Sequence, residues 1–375
     1  MKQVCIVTFY NSLNFGSRLQ ALALSKSIDK LGYEASFFRY FKARKFTLKH
    51  PHMVYARICK RLGKEKNKNF FEPIPYQASA ARKERMAAFT KENYREMAID
   101  SDETWKKTQK KGLIYVSGSD IIWNPALGYP SYYFLDFAYY AKQPCIAYAS
   151  SVGALELPKK YHKAYRRYLN RFKAIGVREN ATIEMLSKVV DNRLTKVVDP
   201  TLLLTSEEWD AYADKAQYSE PIEERYIFCY FVMHDQKYWD YAKMVKEQTG
   251  LQAVVLPMHH LDEQQPFTII KDGTPYEFID LIRRAEFVLT DSFHTGVFSL
   301  QYKKEFYLLR RDRKAEDAKF NELLNRYGLE DRVITDKSRF ERKPKIDYEA
   351  AHAVLKEDRE ASKRFLVEAL SSCGR

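Results

Sequence analysis

Short, strongly apolar runs recur along the chain, each stopping abruptly at small or polar residues before a segment with helical spacing begins. Residues 4–9 stop at Tyr10 and Asn11, and 112–117 stop at Gly118, Ser119 and Asp120. Residues 144–150 lead into Ser151 and Gly153, and 287–289 stop at Thr290, Asp291 and Ser292. Strands that are apolar throughout belong to parallel sheets covered on both faces, and the intervening helices are the covers. The pattern predicts an α/β fold. It also places polar residues at the carboxyl ends of the strands, where open α/β sheets hold their ligands.

The first unit reads as strand 4–9, turn 11–16, helix 19–31 closed by Gly32, and strand 34–40, a β–α–β crossover. A charged helix over 80–96 leaves the sheet as an excursion. Strands 112–117, 144–150 and 174–177 follow, with a helix over 159–172, and the last strand ends at Arg178 and Glu179. Pro200, Ser206 and Glu207 mark a change of unit. The second series predicts strands at 226–232, 252–256, 287–289 and 306–309, with helices at 238–249, 275–284, 295–301 and 318–327. A long amphipathic helix over 348–370 closes the chain. At 375 residues the chain is long for one core and comfortable for two. The expected division is 1–195, 196–345 and a tail, 346–375, that crosses back onto the first unit.

Within this frame the stretch EFVLTDSFHTGVF, residues 286–298, is the most informative. A strand ends, Asp291 and Ser292 offer helix caps, and His294 stands at the helix start. Unpaired backbone N–H groups and the dipole's positive end suit an anion there, and a histidine can move a proton near neutral pH.

Hydrophobic residues make up 45% of the chain and aromatics 14%, enough for filled cores and against disorder. No apolar run reaches the length of a transmembrane helix, and the N-terminus reads as a first strand rather than a secretion signal. The five cysteines are scattered without metal-type spacing, which speaks against a disulfide framework or zinc site and for a reducing, cytoplasmic setting. Cys5, Cys145 and Cys229 lie in apolar runs as buried thiols.

The net charge of +14 is concentrated. Between Arg39 and Lys68 stand eleven Lys or Arg against the single acid Glu65. Val54, Ile58 and Leu62 fall on one helical face there, so a basic amphipathic helix is expected. Such a segment can be a solvated insertion. It can also contact anionic lipid, at about 1 kcal/mol per basic residue, or nucleic acid phosphates. No nucleic-acid-binding signature supports the last, and nucleic acid is not an expected partner.

The ordered motifs resemble the polysaccharide pyruvyl transferase family. They are NSLNFGSRLQALAL near the N-terminus, SGSDIIWNP at 117–125, YFLDFA at 133–138, AYASSVG at 147–153, GVRE at 176–179, VVDPTLLL at 197–204 and DSFHTGVFSLQYKKEF at 291–306. The resemblance implies two Rossmann-like domains facing across a cleft, in the GT-B-like arrangement, the N-terminal one on the acceptor side and the C-terminal one on the donor side. It implies transfer of pyruvate from phosphoenolpyruvate to two hydroxyls of a sugar as a cyclic ketal. The acceptor is expected to be a polyprenyl-diphosphate-linked oligosaccharide, a capsular or exopolysaccharide precursor, with the enzyme peripheral at the inner face of the cell membrane. No cofactor and no metal are expected. The chain departs from the family pattern in two ways. Thr295 and Gly296 stand in reversed order, and Arg18 replaces a small or apolar residue.

Such chemistry needs a proton donor and acceptor and positive charge over a departing phosphate. His294, Arg178 and Asp120 are the catalytic candidates. His294 would serve as the acid–base or phosphate-contacting group, the alternative being a helix-start histidine bonded to backbone. Arg178 would clamp the donor bidentately or pair with Glu179 or another rim acid. Ser292, Thr295, Lys304 and Arg311 are the other donor-side candidates. Asn14, Gly16, Ser119, Trp123, Asn124 and Tyr10 are the acceptor-side candidates, with capping, tight turns and core packing as the plain alternatives. Asp291 reads as a cap or an orienter of His294. His259 and His260 form a pair without a third metal ligand. Two rival functions remain, a glycosyltransferase of similar architecture using a nucleotide sugar and a non-catalytic sugar- or lipid-binding scaffold.

Overall fold

A computed structural model of the chain describes residues 2–40, 77–99, 106, 112–125, 131–140, 143–233, 235–310 and 314–374. The expected basic helix within Arg39 to Lys68 lies outside the described residues, apart from Arg39 and Tyr40 at the end of a strand. The apolar runs all form strands, and the strands pair in parallel into two sheets. The first sheet contains β1 (Gln3–Val7), β2 (Glu34–Tyr40), β3 (Glu96–Ile99), β4 (Ile114–Ser117), β5 (Cys145–Ser150), β6 (Ala174–Val177) and β7 (Leu194–Lys196), in the order β3-β2-β1-β4-β5-β6-β7. The second contains β8 (Tyr226–Tyr230), β9 (Gln252–Val255), β10 (Thr268–Ile269), β11 (Phe287–Thr290), β12 (Glu305–Leu309) and β13 (Val333–Ile334), in the order β10-β9-β8-β11-β12-β13. Strand order reverses between β1 and β4 and between β8 and β11, and crevices at such points hold ligands in doubly wound sheets.

Helix α1 (Phe15–Lys30) follows β1, and α2 (Ala80–Asn93) precedes β3. Then come α3 (Asp136–Tyr140), α4 (Lys159–Leu169), α5 (Asn180–Leu186) and α6 (Ser206–Ala213). The second unit adds α7 (Gln236–Thr249), α8 (Pro275–Arg284), α9 (Phe293–Gln301) and α10 (Lys314–Tyr327), and α11 (Tyr348–Ser372) ends the chain. Among the described residues no helix is long and apolar enough to cross a membrane.

One buried apolar cluster joins the two units. It contains Val4, Ile6 and Leu22 beside Phe228, Tyr230 and Val288. Phe15 of α1 lies 5.6 Å from the ring of Phe278 and 5.9 Å from that of Tyr230. Helix α2 also joins them, although its charge pattern suggested an excursion. Fully buried Arg82 donates from Nη1 to the Pro257 carbonyl at 2.6 Å and stacks on Phe15 at 4.8 Å. Arg85 reaches Glu277 at 2.6 Å and Asp272 at 3.0 Å. Arg82 and Arg85 of α2 thus face partners on the second unit, while Lys83, Glu84 and Lys91 face water.

Helix α11 touches both units. The Ser362 hydroxyl accepts from the Val198 N–H at 3.0 Å, and Arg359 Nε donates to the Leu202 carbonyl at 2.6 Å. Arg326 of α10 pairs with Asp358 at 2.7 Å, and the ring of Phe365 packs on Gly176 of β6, where a Cβ would lie 2.7 Å from it.

Candidate functional site

Two helix starts meet where β1 and β11 end. Ser292 caps α9 by accepting from the Thr295 N–H at 3.4 Å, and Asn14 caps α1 by accepting from the Ser17 N–H at 3.2 Å. Gly16 lies in the first turn of α1 against the imidazole of His294. A Cβ there would fall 2.2 Å from His294 Nδ1, so only glycine lets the ring take this place.

His294 is buried, and its Nε2 lies 3.5 Å from Asp199 Oδ2, at the outer limit of hydrogen bonding, so the contact is mainly electrostatic. Asp199 caps the short turn Pro200–Leu202. Its Oδ1 accepts from the Thr201 N–H at 3.0 Å and the Thr201 hydroxyl at 2.7 Å, which leaves Oδ2 to Arg178 Nη1 at 2.9 Å and to His294. Arg178 donates from Nε to Glu179 at 2.7 Å, and its guanidinium lies 4.8 Å above the ring of Phe293. Across from it, Asp120 accepts from the Ser17 hydroxyl at 2.7 Å and the Ile121 N–H at 2.8 Å, in a backbone with φ of +81°.

These groups hold one another's charge. Burial alone would raise the Asp199 carboxyl, but His294, Arg178 and Thr201 outweigh it and hold it well below the carboxylate range. Burial likewise opposes ionisation of Asp120, and Arg178, His294 and the Ser17 bond overcome it. Burial would lower the Arg178 guanidinium, yet Glu179, Asp199 and Asp120 raise it, so it stays charged. His294 Nε2, Ser119 Oγ, Ser151 Oγ and Thr295 Oγ1 are buried without a hydrogen-bond partner. Buried polar groups are rarely left so, and unspent groups at a strand-end crevice are what a ligand or ordered water would satisfy.

The structure brings His294, Arg178, Asp120, Ser292, Thr295, Gly16 and Ser119 to one place. Other candidates stand elsewhere. Tyr10 is a core residue, stacked on Phe37 at 4.8 Å with its hydroxyl on Glu96 at 2.8 Å. Trp123 is fully buried and stacked on Phe134 at 5.8 Å, so it offers no face to a sugar. Asn124 is buried and ties its turn to the Gly153 carbonyl at 2.8 Å. Asn14 does stand at the site, at the start of α1, with its side-chain oxygen engaged as the cap. Lys304 precedes β12, at the opposite end of the sheet from the site, because α9 carries the chain away from His294. Arg311 lies outside the described residues.

The fork of Arg178 is engaged by Glu179 and Asp199 rather than open to a bidentate ligand. Asp291 does not orient His294. It accepts from the Val232 and Met233 N–H groups at 2.6 and 2.9 Å and pins the loop after β8. Arg18 is buried, bonded to the Ser12 carbonyl, Thr90 and Asn11, and makes neither an anion contact nor a surface change. Position 296 has room for a side chain, since a Cβ at Gly296 would meet Leu308 at an ordinary 3.7 Å, so glycine is not sterically required there. Among the described residues no group of three or more His, Cys, Asp or Glu could hold a metal ion.

Asp199 and Ser17 were not singled out from sequence, whereas Glu179 was, as a partner for Arg178. Asp199 had a local signal, an aspartate before Pro-Thr at a helical start, but such a cap is common and says nothing of which histidine it will face.

A cavity of about 400 Å³ opens beside this cluster. Arg178, Asp199 and Phe293 line one part of it, Lys196, Glu322 and Arg326 another, and Asp358 and Ala361 of α11 a third.

Two parallel sheets with the same order and reversal point, with a charged crevice where their helix starts meet, define a two-domain α/β protein of the GT-B-like class. UDP-GlcNAc 2-epimerase from Neisseria meningitidis shares this fold, at a TM-score of 0.53 and 10% identity over 99% of each chain. UDP-N-acetylglucosamine 2-epimerase from Rickettsia bellii does so at 0.50 and 10% identity, over 99% of this chain and 96% of the other. No curated protein sequence matches the chain. The sequence profile of the family described as polysaccharide pyruvyl transferase matches residues 14–313, and the chain belongs to that family.

Proposed function

We propose that the protein transfers pyruvate from phosphoenolpyruvate to two hydroxyls of one sugar, forming a cyclic ketal. The observation that supports this most is buried His294, held at the meeting of two helix starts with Nε2 3.5 Å from the Asp199 carboxylate and otherwise unspent. The methylene carbon of the donor takes a proton, and positive charge develops at the neighbouring carbon. One sugar hydroxyl attacks that carbon, the bond to phosphate oxygen breaks, and the second hydroxyl closes the ring. Of the two hydroxyl protons released, one balances the new methyl group and the other leaves with phosphate. His294 carries the proton, and the Asp199 carboxylate steadies the imidazolium. The N–H groups at the start of α9, with Ser292 and Thr295, face the donor's anionic groups, and Arg178 supplies fixed positive charge beside them. Asp120 accepts from an attacking hydroxyl.

His294→Asn should lower pyruvyl transfer about 10²- to 10⁴-fold with the fold intact, measured by mass spectrometry of the acceptor. Near-normal turnover would remove His294 from the mechanism. The acceptor is lipid-linked in this reading, and the charge of Arg39 to Lys68 supports contact with an anionic membrane face. Flotation with phosphatidylglycerol vesicles tests that contact. Binding unchanged when the segment's lysines and arginines are neutralised would refute it.

A further inference from the structure

We propose that the cavity between α10, α11 and the 196–199 segment is the acceptor pocket and takes an uncharged pyranoside. The assignment rests on the pyruvyl-transfer reading. It moves the acceptor away from Tyr10, Trp123 and Asn124, whose side chains are committed to core packing and turn bonds. Three observations carry it.

The first is position and size. The cavity is bounded by Arg178, Asp199 and Phe293, so a molecule in it touches the charged cluster directly. Its volume of about 400 Å³ falls within the range of roughly 300–1,000 Å³ common for small-molecule sites.

The second is charge. Three cations line the cavity, Arg178, Lys196 and Arg326, against four carboxylates, those of Glu179, Asp199, Glu322 and Asp358. Each cation already has a partner within the lining. Arg178 pairs with Glu179 and Asp199, Lys196 with Glu322, and Arg326 with Asp358. A small trianion such as phosphoenolpyruvate would meet a net negative lining and would have to break ion pairs to enter. A neutral polyol needs neither. Its hydroxyls donate to the carboxylates and accept from the cations while the pairs persist.

The third is the kind of surface. Val197, Leu323 and the ring of Tyr327 lie among these polar groups. Apolar patches between fixed donors and acceptors match a pyranose, whose C–H face and hydroxyl rim need both. The pocket also draws on both α/β units and α11, so the acceptor binds where the three parts of the chain meet.

Ala361 lines the cavity from an exposed position of α11, so a larger side chain there fills the space without entering the core. The test is saturation-transfer NMR on the full chain with methyl glycosides of glucose, galactose, mannose and N-acetylmannosamine, comparing wild type with Ala361→Trp and the smaller Ala361→Leu. At least one glycoside should bind wild type. Affinity should fall at least tenfold in Ala361→Trp and by an intermediate amount in Ala361→Leu, while protection from thermal unfolding by phosphoenolpyruvate stays the same in all three. Absence of glycoside binding to wild type, or equal binding in all three proteins, would overturn the assignment. So would loss of phosphoenolpyruvate protection in Ala361→Trp, which would make the cavity the donor site. Whether phosphoenolpyruvate is consumed with the bound glycoside is scored separately. Glycoside binding that Ala361→Trp abolishes, without such consumption, would leave the pocket standing and defeat the reaction.

Discussion

At the scale of single residues, the site depends on two contacts of His294, one steric and one with a carboxylate. Gly16 gives the His294 ring its place, and Asp199 gives Nε2 its partner. Gly16→Ala would put a Cβ 2.2 Å from His294 Nδ1, and the ring must move. Displacements of about 1 Å cost on the order of 10²-fold in rate, and a loss of that size is expected in kcat, together with about 1–3 kcal/mol of stability because His294 Cβ would also lie 2.6 Å away. Asp199→Asn keeps the Thr201 contacts but removes the charge facing Arg178 and His294, and should cost about 3 kcal/mol in urea unfolding at neutral pH.

The pH dependence of that loss has a definite sign. The folded Asp199 carboxyl lies well below its ordinary value of 3.8, so its contribution is complete above that value and is lost progressively as pH falls below it toward the lowered folded value. Between about pH 5 and pH 2 the wild type should therefore lose stability more steeply than Asp199→Asn. Parallel acid curves would show that the carboxylate does not carry this energy. His294, Arg178, Asp120 and Ser119 were legible from sequence because each ends or follows a strand-type run. Of their partners only Glu179, next to Arg178 in the chain, was legible; Asp199 was not, because its contact with His294 is made by the fold across nearly a hundred residues of chain. Trp123 and Tyr10 misled for a related reason, since an aromatic beside a motif looks the same whether its ring faces a sugar or the core.

At the scale of elements, the interior of each sheet was readable and its edges were not. β1, β4, β5, β8 and β11 are apolar on both faces and announce themselves. β3, β7, β10 and β13 are edge or near-edge strands of two to four residues, too short for any periodicity to show. Helix α2 shows what a charge pattern hides. Its charges suggested an excursion from the sheet, and Arg82 and Arg85 instead bind the second unit, Arg85 pairing with a fully buried Glu277. Arg85→Ala should cost about 3 kcal/mol, read as a lower urea midpoint, because it strands a buried carboxylate. A change under about 0.5 kcal/mol would mean that Glu277 is satisfied by the Thr274 and Gln217 backbone alone.

At the scale of the whole molecule, two sheets of the same order share one apolar cluster and a third element, α11, that touches both. The proposed function divides the labour across the crevice. The helix starts around His294 suit an anion, and the mixed-charge cavity beside Asp199 suits a neutral sugar. The alternation of strands and helices made the two units readable from sequence. The shared cluster was not readable, because which apolar faces meet is decided only when both sheets are assembled.

The most direct measurement is mass spectrometry of uncharged glycosides incubated with the protein and phosphoenolpyruvate, with UDP-sugars as a parallel donor set. One glycoside should gain a pyruvate less one water, with release of an equal amount of phosphate, and His294→Asn should lower both about 10²- to 10⁴-fold. Transfer from a UDP-sugar with no consumption of phosphoenolpyruvate would contradict the account.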